Sequence, residues 1–206
     1  MKKVISVLLS AALTLFLSTC TFAVAAEEDV PDYLRLMTDA VISGDIGSGR
    51  LAETRRNAWI DENNSDESKV SFDELYVLSK YIYARAGSIR LSDELRMCVG
   101  EVALNRVASP EFPNNLLDVI LDDGDVPSAL SVGQTGGRPN RPSVEAALRL
   151  LLGERMMEPS VIYQSKERIG EVYASFADKL LGFTYFCKSE HSQLYAVEET
   201  LPDTDF

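Results

Sequence analysis

Few residues of this chain carry side chains that do chemistry. The single histidine, His191, lies near the C-terminus in a polar stretch, a setting that suits a solvated side chain better than a catalyst. Cys98 and Cys187 are the two cysteines beyond residue 26. An exported chain can join such a pair, although Cys98 lies on a strongly apolar helix face, where a buried free thiol is common. No Cys/His cluster has zinc spacing, and neither a metal nor another cofactor is expected. Among the carboxylates, Glu74 sits in an S-x-x-E capping pattern and Glu94 in a helix first turn, where acids complement the dipole. Glu101 falls off the apolar stripe and is expected to be solvated. Arg85, in YIYARAGS (81–88), is a cation at a helix C-terminus, a placement that stabilises by roughly 0.3–1 kcal/mol. Tyr83, Tyr163 and Tyr185 offer aromatic faces that stack on sugars, and tyrosine at the rim of a core is equally ordinary.

The elements that position these residues follow from spacing and caps. Ser71 opens a helix over 72–86, with Leu75, Leu78 and Ile82 on one stripe and Gly87 as its stop. Ser92 opens the next, which carries Leu95, Val99 and Val102 and ends near 107. Asn105 and Arg106 close that helix, where polar groups bond free carbonyls. A short helix over 116–121 follows Pro110 and Pro113. Residues 122–142 form a long Gly/Pro-rich loop of the kind that is usually functional or mobile. A helix over 143–152 precedes two β-like runs, VIYQS (161–165) and FTYFC (183–187). The fold class is therefore α+β, mainly α, with a small antiparallel β element late in the chain.

The ends read differently. Lys2, Lys3, an apolar run over 4–17 and the small residues of 23–26 have the form of a secretory signal peptide. The run falls short of the roughly 20 apolar residues of a membrane span. LSTC (17–20) is a weaker lipobox-like alternative that would attach lipid at Cys20. Loss of residues 1–26 takes the net charge from −12 to −14. So acidic a chain is a poor partner for nucleic acid and for anionic membrane surfaces. With 46% apolar and 25% charged residues, the remainder can bury a core. The divisions expected are a signal peptide (1–26), an acidic helical lead-in and linker (27–70), a compact domain (71–190) and an acidic tail (191–206). Within the lead-in, short helices are expected over 33–43 and 51–60, with GDIGSG (44–49) between them and 61–69 as a solvated linker.

The segment DELRMCVGEVALNRVASPEFPNNLLDVI (93–120) resembles the SleB-type cell wall hydrolases, the spore-cortex and peptidoglycan lytic enzymes of lysozyme-like fold. FDELYVLSKYIYA (72–84) before it, and the helix over 143–152, VIYQ (161–164) and YFC (185–187) after it, agree in order. The resemblance covers roughly residues 71–187. It implies a lysozyme-like helical domain and cleavage of peptidoglycan glycan strands between muramic acid and glucosamine, in lytic-transglycosylase fashion. One glutamate of the family does the acid/base work from an A-E-A stretch at the end of the helix before LNRV.

Here that stretch is Ala84-Arg85-Ala86, so Arg85 stands at the position of the family glutamate. A guanidinium stays protonated and accepts no hydrogen bond, so it cannot serve as the acid/base group. The glutamine-aromatic step that tends to line the family's groove is replaced by Asp125-Val126, and Gln134 substitutes only if the loop folds it back. These departures imply a peptidoglycan-directed protein, secreted or held at the cell wall, whose catalysis is weakened or lost. Two alternatives accompany that reading: a non-catalytic module binding wall glycan or a partner, and an active hydrolase using another acid such as Glu94. Arg85 either stabilises its helix end or binds an anion in the groove. Tyr83, Asp125, Gln134, Tyr163 and Tyr185 are the expected substrate-binding positions.

Overall fold

The computed structural model describes residues 32–123 and 137–195. Within them the chain is α+β and mainly α. Six helices, α1 (Tyr33–Ser43), α2 (Ile46–Asn63), α3 (Phe72–Ala86), α4 (Asp93–Ala108), α5 (Leu116–Asp122) and α6 (Arg141–Leu151), precede three strands. These are β1 (Val161–Ser165), β2 (Val172–Asp178) and β3 (Gly182–Lys188), followed by a short 3₁₀ turn, Ser192–Tyr195. No helix among the described residues is long and apolar enough to cross a membrane.

Each helix start after α1 is fixed by a side-chain cap that satisfies an otherwise orphan backbone N–H. Ser71 accepts from the Glu74 N–H, Ser92 from Leu95, Asn115 from Asp118 and Asn140 from Ser143. α3, α4 and α6 pack on one another around Leu78, Ile82, Val99, Ala103, Val144 and Leu150, all fully buried. Gly100 makes the crossing close. A β-carbon there would lie 2.6 Å from both Ile82 and Leu150, so an alanine would make those two side chains shift.

The compact part begins at Tyr33 rather than at residue 71. Met37, Val41 and Ala52 of the lead-in join the same core as Phe72 and Leu75. GDIGSG is no inter-helix turn beyond Gly44, because Asp45 caps α2 by accepting from the Ser48 N–H and Gly47 to Gly49 are helical. Gly49 is needed for contact, since a β-carbon would lie 2.1 Å from the Phe72 ring. Residues 64–69 are held down rather than free. The buried Arg56 guanidinium donates to the Ser68 carbonyl at 2.7 Å and to Glu67 at 2.9 Å.

The sheet has the order β1-β3-β2, with both pairings antiparallel. β3 is central, and β1 and β2 set Gln164 and Ala174 opposite Phe186, and Ser165 and Ser175 opposite Tyr185. Side chains alternate between the faces, so Thr184 and Phe186 point inward while Phe183 and Tyr185 point outward. α4 carries the sheet. Glu101, expected in solvent, is fully buried, and its carboxylate accepts the Met156 and Met157 N–H groups at 2.8 and 3.1 Å. Asn105 donates to the carbonyls of Glu158 and Val161, each at 3.0 Å, and Arg106 Nε to that of Ile162 at 2.7 Å. The carbonyls that Asn105 and Arg106 bond thus belong to the run into β1, not to the end of their own helix. Three polar residues of one helix grip the backbone over 156–162.

Both described cysteines are free and buried, and burial pushes the Cys98 thiol up to about 12.

A polar tether fixes the C-terminal turn. Glu111 Oε1 accepts from Ser189 Oγ at 2.6 Å and from Tyr195 O–H at 2.7 Å. The Ser189 hydroxyl first, and Tyr195 second, hold the Glu111 carboxyl below its usual range. A carboxyl lowered by folding contributes its stability above the unfolded pKa and loses it as the pH falls through the folded one. The melting-temperature difference between the natural chain and Glu111→Gln is therefore expected at pH 7, shrinking as the pH falls below the ordinary glutamate range. A difference independent of pH would remove the ionised tether from the account.

Candidate functional site

Three helix C-termini meet at one corner. Arg85 lies in the last turn of α3, Arg106 in the last turn of α4, and Asp123 is the residue after α5. Both arginines sit where the helix dipole favours a cation, and Asp123 sits where it disfavours an anion. The two guanidiniums offset that cost. Asp123 Oδ2 accepts from Arg85 Nη2 at 2.7 Å and from Tyr81 O–H at 3.0 Å, and lies 3.1 Å from Arg106 Nη1. Tyr81 precedes Arg85 by one helical turn, so its ring also lies under the Arg85 guanidinium, at 5.0 Å from the centroid. Burial raises the Tyr81 hydroxyl well above its ordinary value, which keeps it a donor. Arg106 closes the corner against Phe112, with its guanidinium 5.1 Å from the ring centroid.

Arg85 has a second exposure. It lines a cleft of about 410 Å³ together with Gln164 and Ser165 of β1, Thr184 of β3, and Lys166 and Glu167 of the following turn. Lys166 Nζ is held by the Leu181 carbonyl at 2.7 Å and by Thr184 Oγ1 at 3.3 Å. Arg85 Nε and Gln164 Oε1 are buried and have no hydrogen-bond partner among the described residues.

Of the described residues singled out in the sequence, only Arg85 lines this cleft. Glu94 is exposed at the start of α4. Its own backbone N–H first, and the Ser92 hydroxyl second, hold its carboxyl below the usual range. A general acid working near neutral pH needs the opposite shift. Glu101 is committed to the Met156 and Met157 amides, and Glu74 is exposed at the α3 cap. Tyr83 is half-buried and packs against Gly87 and Gly137, where a β-carbon would lie 2.5 and 2.9 Å from its ring. Tyr163 pairs with Cys187 in the sheet. Tyr185 stacks on Phe183 with centroids 6.0 Å apart, and Arg168 lies 5.5 Å from its ring centroid. Tyr185 is not among the residues that line the cleft. Asp125 and Gln134 lie outside the described residues, as does Cys20. His191 is exposed.

Tyr81, Asp123, Gln164, Lys166 and Glu167 were not singled out in the sequence. One signal was available for Asp123, namely an acid at a helix C-terminus, which breaks a local rule and so implies a cationic partner. No family model matches the chain, and no match was found among curated proteins or solved structures.

Proposed function

We propose that the protein is exported and directed to peptidoglycan, on a scaffold resembling that of the SleB-type cell wall hydrolases, and that it binds the wall without cleaving its glycan strands. One observation carries the non-catalytic part. The side chain at the end of α3, where the resemblance puts the acid, is a guanidinium tied at 2.7 Å to Asp123. Among the described residues, no carboxyl replaces it at the end of α3. Glu94, the substitute the sequence offers, is exposed, with its carboxyl lowered rather than raised.

Loss of a general acid/base group alone costs roughly 10²–10⁴-fold in rate, and here the oxygen nearest Arg85 is already occupied by two hydrogen-bond donors and an ion pair with Arg106. Binding needs none of that proton transfer. The test is co-sedimentation of the chain lacking residues 1–26 with insoluble peptidoglycan, which the proposal expects to carry the protein into the pellet. Protein that stays wholly in the supernatant contradicts the wall-directed reading.

A second reading rests on Glu167, a carboxylate that lines the same cleft as Arg85. An active hydrolase with its acid moved to Glu167 would release muropeptides and lose that release in Glu167→Gln.

A further inference from the structure

The cleft at Arg85 carries a positive charge excess within an acidic protein. Its described lining holds two cations, Arg85 and Lys166, against one carboxylate, Glu167. Behind the lining, Arg85 and Arg106 share the carboxylate of Asp123, so among the described residues one guanidinium charge is left over. Lys166 bonds two neutral oxygens, Leu181 O and Thr184 Oγ1, and no carboxylate among the described residues. Glu167 is exposed, and its backbone N–H is turned back onto Ser165 Oγ at 3.0 Å. A chain of net charge −12 that concentrates cations at one concave site has the electrostatics of an anion receptor.

Two unmade hydrogen bonds narrow the ligand. The Arg85 fork spends Nη2 on Asp123 and leaves Nε–H without a partner. Gln164 Oε1, on β1, is an acceptor without a donor among the described residues. Buried polar groups are normally paired, so each marks a bond that something else completes. A carboxylate completes the guanidinium fork, by the charge-assisted geometry arginine favours, and takes a proton donor from Lys166. Gln164 requires an N–H from the same ligand. Phosphate brings no N–H, and a neutral sugar leaves the charge excess unanswered.

We propose that this cleft binds a carboxylate carried beside an amide N–H, as at the free C-terminal end of a peptide. The proposal rests on the reading of Arg85 as a binding group and names its ligand. Two sources share that chemistry, the D-configured peptide arms of a cell wall and ordinary L-peptide ends, and stereochemistry separates them.

The experiment is calorimetric titration of the chain lacking residues 1–26 with N-acetyl-D-alanyl-D-alanine and N-acetyl-L-alanyl-L-alanine, each as free acid and as C-terminal amide. The expected result is binding of an acid form at least about tenfold tighter than its amide. Lys166→Gln, at an exposed position, is expected to weaken the acid by a similar factor, and Gln164→Leu to weaken acid and amide alike. Arg85→Gln is expected to weaken the acid further, and the two other variants stand if it fails to fold. Preference for the D acid points to wall peptide, and preference for the L acid to protein ends. Equal affinity for acid and amide, no binding of either, or an unchanged Lys166→Gln variant overturns the proposal. Sedimentation with peptidoglycan that free acid does not compete away overturns it while leaving the wall-directed reading intact. Acid binding without sedimentation does the reverse.

Discussion

Replacing Glu101 by alanine is expected to lower the unfolding free energy by about 3–5 kcal/mol, the largest effect of any single polar substitution considered. Glu101 is fully buried, and its two oxygens accept the Met156 and Met157 N–H groups. Alanine leaves both donors without a partner, at about 1–3 kcal/mol each, and opens a cavity besides. Domains of this size are stable by about 5–15 kcal/mol, so the variant should sit close to unfolding at ambient temperature. Glutamine keeps the volume and one oxygen, but presents an NH₂ to an amide that also donates. Its expected loss is about half as large. Urea denaturation of the three chains measures the order. An alanine variant within about 1 kcal/mol of the natural chain would show that another acceptor replaces the carboxylate.

Asp123→Ala is expected to cost about 2–4 kcal/mol. It strips the acceptor from Arg85, Arg106 and Tyr81 at once. Removing one partner of a fully buried ion pair costs about 3–5 kcal/mol. The value here is set lower because the side chains of Arg85, Arg106 and Asp123 are 19%, 11% and 21% exposed. Arg85→Met should cost less, about 1–2 kcal/mol, since Asp123 keeps two donors and methionine still packs on Tyr81. The order Asp123→Ala worse than Arg85→Met distinguishes a shared hub from a simple pair. The reverse order would mean that Arg85 stabilises its helix end by itself and that Asp123 is incidental. Arg85→Glu should be the worst change at this position, as it sets a second carboxylate against Asp123 Oδ2.

The fold was legible where local signals and burial agree. Ser71 and Ser92 mark the starts of α3 and α4, and the apolar stripes behind them are the observed core. VIYQS and FTYFC are strands because β-branched and aromatic residues dominate them. β2, VYASFAD, was missed. Ala174, Ser175 and Ala177 have weak strand preference, and pairing with the central β3 supplies what propensity lacks. GDIGSG misled because glycine marks turns and close contacts alike, and Gly49 serves the Phe72 contact. The site was legible at one residue only. Arg85 is distinctive in its local sequence, whereas its partner Asp123 lies 38 residues away and Lys166 and Gln164 arrive through the sheet. Glu101, Asn105 and Arg106 were misread for a related reason. Periodicity places polar residues outside, and it cannot see a backbone segment more than 50 residues on that needs donors and acceptors supplied.

We propose that a guanidinium stands where the SleB-type enzymes carry their acid, and that the protein holds peptidoglycan without cutting it. The most direct measurement is mass spectrometry of the soluble phase after prolonged incubation of the chain lacking residues 1–26 with purified peptidoglycan. The account predicts a soluble phase indistinguishable from the protein-free control, while the protein itself is recovered on the insoluble wall. Muropeptides released in proportion to protein would contradict it.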